Sequence, residues 1–299
     1  MAPTDRAGPP AAMMPGAFAD DVRSGDRTAW LAALFAPDAA RPALHALAAY
    51  RLELHRIVET VPQAMAAEIR LQWWRDAIRD EGFGAGRSVP LVDALREGAR
   101  LYGWPHETLC AVSEAFIHDL YADPLEDWTA FDGYAGESHG ALVQLGAMAL
   151  AVSALGEAGG FAAARTAATA AGYAGVVLAA ADVAASVPRR FARGVTLVPT
   201  TAWREATGEA QDAAMTAGRL PEGAAAAAAA VAAHGLAAHG EMMRHLPGVA
   251  AEARTAFLPA VVAARSLRLA ARAPLSEPRP AAWRTQLDLW RAARRLNRL

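Results

Sequence analysis

Apolar residues recur three and four positions apart along nearly the whole chain, and the alternation of a half-buried strand is hardly found anywhere. A chain patterned this way can bury its apolar stripes only by packing helix on helix. Proline, glycine and capping residues divide the pattern into segments. Asp26 caps a helix through Trp30, Leu31 and Leu34 that Pro37 ends. A second cap at Asp38, with Pro42 in the first turn, opens a long helix from Arg41 to about Val61, closed by Pro62. The next runs from about Gln63 to Asp80 with Ile69, Trp73 and Ile78 near one face, and Gly82, Gly84 and Gly86 end it. Helices are expected at about 90–101, 105–121, 126–155 and 160–187, then near 200–206, 209–218, 221–245, 249–272 and 279–297. With no compositional linker and no fixed-period repeat, the expectation is one all-α domain over residues 22–299, behind a flexible tail of residues 1–21.

Composition narrows the functional classes. The 299 residues are 54% apolar, enough for a sizeable core. A formal charge of −2 argues against a dedicated nucleic-acid binder. The lone Cys110 excludes an internal disulfide framework or a multi-cysteine metal site. All 29 basic residues are Arg, and 79 residues are Ala, a helix-forming combination that also reflects codon bias. Ala224 to Ala233, broken only by Val231, is low in complexity and reads as helix. Asp5 and four prolines interrupt the start, where a secretory signal needs an unbroken apolar run. The apolar stretches Ala141 to Leu155 and Ala167 to Ala181 are Ala-diluted and fall short of the roughly 20 residues of a membrane span, so they read as buried helices.

Four local signals carry potential chemistry. Gly136-Glu137-Ser138-His139-Gly140 satisfies G-x-S-x-G, but that pattern exposes a nucleophile only at a strand-to-helix turn, and here helix precedes it. Gly82-Phe83-Gly84-Ala85-Gly86 lacks the preceding strand of a phosphate cradle and reads as an inter-helix loop. His234, His239 and His245 are five and six apart, off any shared helix face, and lack the i, i+4 spacing of a metal pair. Trp73-Trp74 beside Arg70 and Arg75 could stack on a ligand, with Trp73 core and Trp74 flanking on spacing alone.

That last segment opens a resemblance. Leu34-Phe35-Ala36-Pro37 and Arg41-Pro42-Ala43-Leu44-His45-Ala46-Leu47-Ala48-Ala49-Tyr50, followed by Glu68-Ile69-Arg70-Leu71-Gln72-Trp73-Trp74-Arg75, resemble the start of the squalene/phytoene synthase family, with its A-L-x-x-[FY] and R-L-x-W-W-R helices. Tyr134 to Gly140 resembles the family's Y-x(5)-G helix, and Gly194-Val195-Thr196-Leu197-Val198-Pro199 its G-R-x-Y-L-P loop, so the resemblance spans roughly residues 22–205. It implies an isoprenoid-synthase-type helical bundle around a central cavity. It also implies head-to-head joining of two prenyl diphosphates, with Mg²⁺ held by the aspartate-rich helical motifs D-D-x-x-D and D-x-x-x-D.

The metal motifs are where this chain departs. The first reads His55-Arg56-Ile57-Val58-Glu59, keeping only Glu59. At the second, an ungapped alignment from Gly194 places Ser186 and Arg190 on the aspartates, with Asp182 one turn earlier. Arginines at such positions would repel Mg²⁺ by roughly several kcal/mol. Tyr50 to Val61, Asp119 to Pro124 and Val187-Pro188-Arg189-Arg190-Phe191-Ala192-Arg193-Gly194 resemble instead a divergent branch of the family, with Arg190 or Phe191 in place of its histidine. The branch includes the assembly factor of mitochondrial respiratory complex I and acts without prenyl transfer. The resemblance therefore implies a non-catalytic, cytoplasmic protein resting on the inner membrane, partnered by respiratory-complex subunits or an anionic membrane surface, with no cofactor and no metal. Tyr50, Glu53, Arg70, Arg75, Arg189, Arg190 and Arg193 are its candidate ligand-binding residues. Two alternatives stay open: a Mg²⁺-dependent prenyltransferase, and a metal-free binder of prenyl diphosphate or anionic lipid through Arg189, Arg190 and Arg193 with Arg56 opposite. In the last helix Trp283, Leu287 and Trp290 near one face, beside Arg291, Arg294, Arg295 and Arg298, suit an anionic membrane surface or a helix packed on the domain with a solvated basic end.

Overall fold

Pro42 in the first turn of one helix and Val61-Pro62 after its last define the longest early element, α3 (Arg41–Thr60). The computed structural model describes residues 16, 18–80, 89–121, 124–275 and 281–299. Within them the chain is helical throughout, with no strand. Before α3 come α1 (Ala19–Gly25) and α2 (Arg27–Ala33). After it come α4 (Ala64–Arg79), α5 (Pro90–Tyr102), α6 (His106–Ala115), α7 (Trp128–Ala135), α8 (Ala141–Arg165) and α9 (Ala168–Ala192). The series closes with α10 (Thr200–Thr207), α11 (Gln211–Thr216), α12 (Ala224–His245), α13 (Leu258–Arg272) and α14 (Ala282–Leu296). A π-helical turn, Gly136–Gly140, joins α7 to α8, and 3-10 turns follow α6 and precede α13.

Several boundaries differ from expectation, each for a physical reason. Asp26 caps α2 by accepting from the Ala29 N–H at 2.9 Å, as its position predicts. Asp38 instead pairs with Arg41 at 2.7 Å and α3 starts without a side-chain cap. Helix α1 starts at Ala19, inside the expected tail; residues 1–15 and 17, and the glycine loop at 82–86, lie outside the described residues. The break expected between 155 and 160 falls at Gly156, which takes φ 72° within α8. Helix α9 does not stop before Pro188 but runs on to Ala192. On α4 the buried stripe is Ala67, Leu71, Trp74, Ala77 and Ile78. Trp74 is therefore core, its ring tilted against that of Tyr50 at 5.4 Å, Trp73 is half-buried at its edge, and Ile69 is 65% exposed.

Two apolar cores result. One gathers α3–α6 around Tyr50, Leu54, Leu71, Trp74, Leu95 and Trp104. The other gathers α7, α9, α12 and α13 around an alanine-rich interior. Helix α9 crosses α12 through Ala180 and Gly235, and small side chains there let the backbones approach closely. By length and composition α9 and the stretch Trp128–Arg165 could cross a membrane; 67% of the apolar window of α9 is buried inside this fold.

Candidate functional site

The two cores meet at a cavity of about 300 Å³, at the lower end of ligand-pocket sizes. Its walls are mostly apolar, with Leu44, Leu47, Leu142, Val143, Leu178 and Pro259 from four helices. Its polar end presents Asp26, Arg51, His139 and Asp182.

That polar end is the edge of a ladder between two helices. On α3, Arg51, His55 and Glu59 are four apart and share a face; on α9, Asp182, Ser186 and Arg190 do the same. His55 stands between two carboxylates, Nδ1 3.4 Å from Glu59 and Nε2 3.7 Å from Asp182. Arg190 is buried and donates to three acceptors: Ser186 Oγ at 2.9 Å, Asp182 Oδ2 at 2.9 Å, and the fully buried Asp119. Asp119 also accepts from the Tyr134 hydroxyl at 2.9 Å. Arg189 reaches Glu59 at 3.0 Å, and Arg51 reaches Asp26 at 2.7 Å. Burial lowers the Arg190 pKa to about 10, still well above neutrality. Burial pushes the Asp182 carboxyl upward, but a hydrogen bond from His55 and the charges of His55, His139 and Arg51 outweigh it and bring the pKa down to about 2.

The π-helical turn supplies the remaining wall. Gly175 of α9 would place a Cβ 2.6 Å from Ala135 O and Gly140 N, so only glycine allows this crossing. Ser138, fully buried, donates its one hydroxyl proton to Tyr134 O at 2.6 Å, and must therefore accept the 2.8 Å hydrogen bond from His139 Nδ1–H. His139 is thus a donor toward Ser138, the reverse of the polarity a nucleophilic serine needs. Burial, then the Arg51 charge, lowers its pKa to about 4, so it is neutral near pH 7.

The expected site residues separate. His55, Glu59, Ser186 and Arg190 come together in the ladder. Arg56, expected to face a metal clamp, lies about 100° further round α3; it is exposed and pairs with Glu53 at 2.7 Å. Tyr50 is sealed in the α3–α6 core, its hydroxyl donating to Leu109 O at 2.9 Å. Arg75 pairs with Glu114 at 3.3 Å, and Arg70 is exposed on α4. Arg193 donates to Val58 O, tying α9 to α3. The proposed diphosphate clamp of Arg189, Arg190 and Arg193 opposite Arg56 is not one site, because Arg190 is buried with each of its three nitrogens bonded to Ser186, Asp119 or Asp182, and Arg56 points elsewhere to Glu53. Sequence reasoning missed Arg51 and His139 as cavity residues. The signal for Arg51 was its position four before His55. The three histidines of α12 and its neighbourhood go separate ways: His234 meets Asp132 at 2.7 Å and stacks on Trp128, and His245 stacks on Tyr173.

A magnesium clamp needs carboxylate oxygens free to converge on the ion. Here Asp119 and Asp182 are held by Arg190, and Glu59 by Arg189 and His55. The donor set does not fit the metal the family resemblance implies.

Residues 22–291 match the squalene/phytoene synthase family. Among solved structures, squalene synthase HpnC from Alicyclobacillus acidocaldarius is similar with a TM-score of 0.61 and 20% identity, over 84% of this chain and 90% of that one. A dehydrosqualene synthase solved in complex with ligand is similar with a TM-score of 0.70 and 12% identity, over 94% and 95%. No curated protein matches the chain.

Proposed function

This chain belongs to the squalene/phytoene synthase family, and from that premise we propose that it is a non-catalytic member that keeps the cavity of the fold and has lost prenyl transfer. The observation that carries the reading is the ladder between α3 and α9, where the chain's own cations occupy the carboxylates. Arg190 alone is ion-paired to both Asp119 and Asp182. To bind Mg²⁺ there, the protein would have to expel a buried guanidinium and leave it unpaired, at a cost of several kcal/mol. The cavity suits an apolar chain with an uncharged, hydrogen-bonding head, because its one cationic wall residue, Arg51, is already paired with Asp26.

The role that accords with the sequence of α3 and of 187–194 is assembly of a membrane-bound respiratory complex, complex I, with the protein acting as a scaffold. The alternative, a prenyltransferase joining two prenyl diphosphates, is supported by the similarity to synthases in fold. Incubation with farnesyl or geranylgeranyl diphosphate and Mg²⁺, following diphosphate release, decides between them. No release above a protein-free control is expected, and sustained turnover overturns the proposal. Deletion of the gene should lower NADH dehydrogenase activity of membranes; unchanged complex levels would remove the assembly role while leaving the cavity reading intact.

A further inference from the structure

Helix α14 divides into two faces. Leu289, Ala292, Ala293 and Leu296 are buried against the domain. At about 100° per residue, Trp283, Leu287, Trp290, Arg294, Arg291, Arg284 and Arg295 fall together on the opposite side, and the exposed Arg298 follows in the turn after the helix. Trp283 is 59% exposed and Trp290 47%, two turns apart on one stripe. Arg284 lies over the Trp283 ring at 5.1 Å and Arg294 over Trp290 at 4.7 Å. The helix carries one acidic residue, Asp288, at the edge of this face and held by Arg265. A hollow lined by Trp290, Arg291, Arg294, Arg295, Arg298 and Leu299 lies at its end.

We propose that the outward face of α14 docks the protein on an anionic lipid surface, with Trp283 and Trp290 at headgroup depth and the arginines on lipid phosphates. Charge complementarity selects the partner. Five arginines face outward with no opposing acid among the described residues, on a chain whose total charge is −2, so the rest of the chain is net acidic. Basic side chains flanking exposed indole rings are the arrangement that an interfacial helix uses, the rings reaching the acyl boundary and the guanidinium groups the phosphates. A nucleic-acid duplex would use the same charge but has no unstacked base to place on two exposed indole rings. The inference is independent of the cavity: vesicle binding can fail while prenyl-transfer assays stay negative, and the reverse.

The test is co-sedimentation of the full chain with phosphatidylcholine vesicles, with and without cardiolipin, at low and high salt. Binding is expected only with cardiolipin and should weaken with salt. Trp283→Ala/Trp290→Ala and Arg291→Gln/Arg294→Gln/Arg298→Gln should each weaken it by about tenfold or more. A control, Arg79→Gln/Arg100→Gln/Arg244→Gln, removes the same charge from exposed arginines elsewhere and should bind as the parent does. Melting curves of all variants identify any that are misfolded, and the two α14 variants fail independently. Equal binding to neutral vesicles, equal loss in the control, or retention on duplex RNA with no affinity for vesicles would each overturn the proposal.

Discussion

Arg190 shows how a single side chain can reverse the meaning of a position. In sequence it stands on an aspartate place of the second metal motif and reads as positive charge facing a ligand. In the fold it is 4% exposed and shared among Asp119, Asp182 and Ser186, so the charge is internal. Removing one partner of such a group leaves buried charge uncompensated: Arg190→Met should cost about 3–5 kcal/mol in urea or guanidinium unfolding. The double variant Arg190→Met/Asp119→Leu should be more stable than Arg190→Met alone, because the stranded carboxylate goes with it. His139 gives a pH signature. Its folded pKa of about 4 lies below the unfolded value of 6.5, so between those limits the unfolded chain takes up a proton that the folded one refuses. Its contribution is complete above about pH 6.5 and falls away by about 3 kcal/mol as the pH drops to 4. Asp182, with a folded pKa of about 2, adds a further loss between about pH 4 and 2. Unfolding midpoints at pH 7, 5 and 4 should show the first slope, and His139→Asn should flatten it. A residue's neighbours within one helix turn were legible; Asp119, on another element 71 positions away from Arg190, was not.

At the scale of the element, periodicity located the helices and tertiary contacts set their faces and ends. Spacing pointed to Trp73 as the core residue of the pair, but the packing of α4 against α3 and α6 puts Trp74 there instead. Pro188 removes one helical donor, which reads as a terminus. The last turns of α9 persist because Arg190 is fixed by Asp119 and Arg193 by Val58 O. The G-x-S-x-G match is a packing motif: Gly140 lies against Ala171 of α9 and Gly175 against Ala135 and Gly140. Gly175→Ala should destabilise the protein by about 1–3 kcal/mol, through overpacking against backbone that has no side chain to move aside. A melting temperature within a degree of the parent's would contradict that close approach.

At the scale of the whole molecule, the cavity lies between two cores that neither half of the chain could enclose alone: α2, α3, α8, α9 and the start of α13 all contribute walls. A neutral isoprenoid such as farnesol, at about a hundred times its Kd, should stabilise the fold by about 2.7 kcal/mol, seen as a rise in melting temperature. Ala48→Phe, which fills the cavity from α3, should abolish that rise while the variant still folds. A rise that survives in Ala48→Phe would place the ligand elsewhere. The all-helical class, the long α3, the cap at Asp26, the break at Gly156 and the family itself were determined by the sequence alone, because each depends on residues within a few helical turns of one another. Only the tertiary structure decided which arginines are sealed inside, that Trp74 and not Trp73 is core, and that α14 turns its tryptophans outward. Those outcomes depend on side chains brought together from distant helices, and burial, not position in the chain, determines what a charge can do.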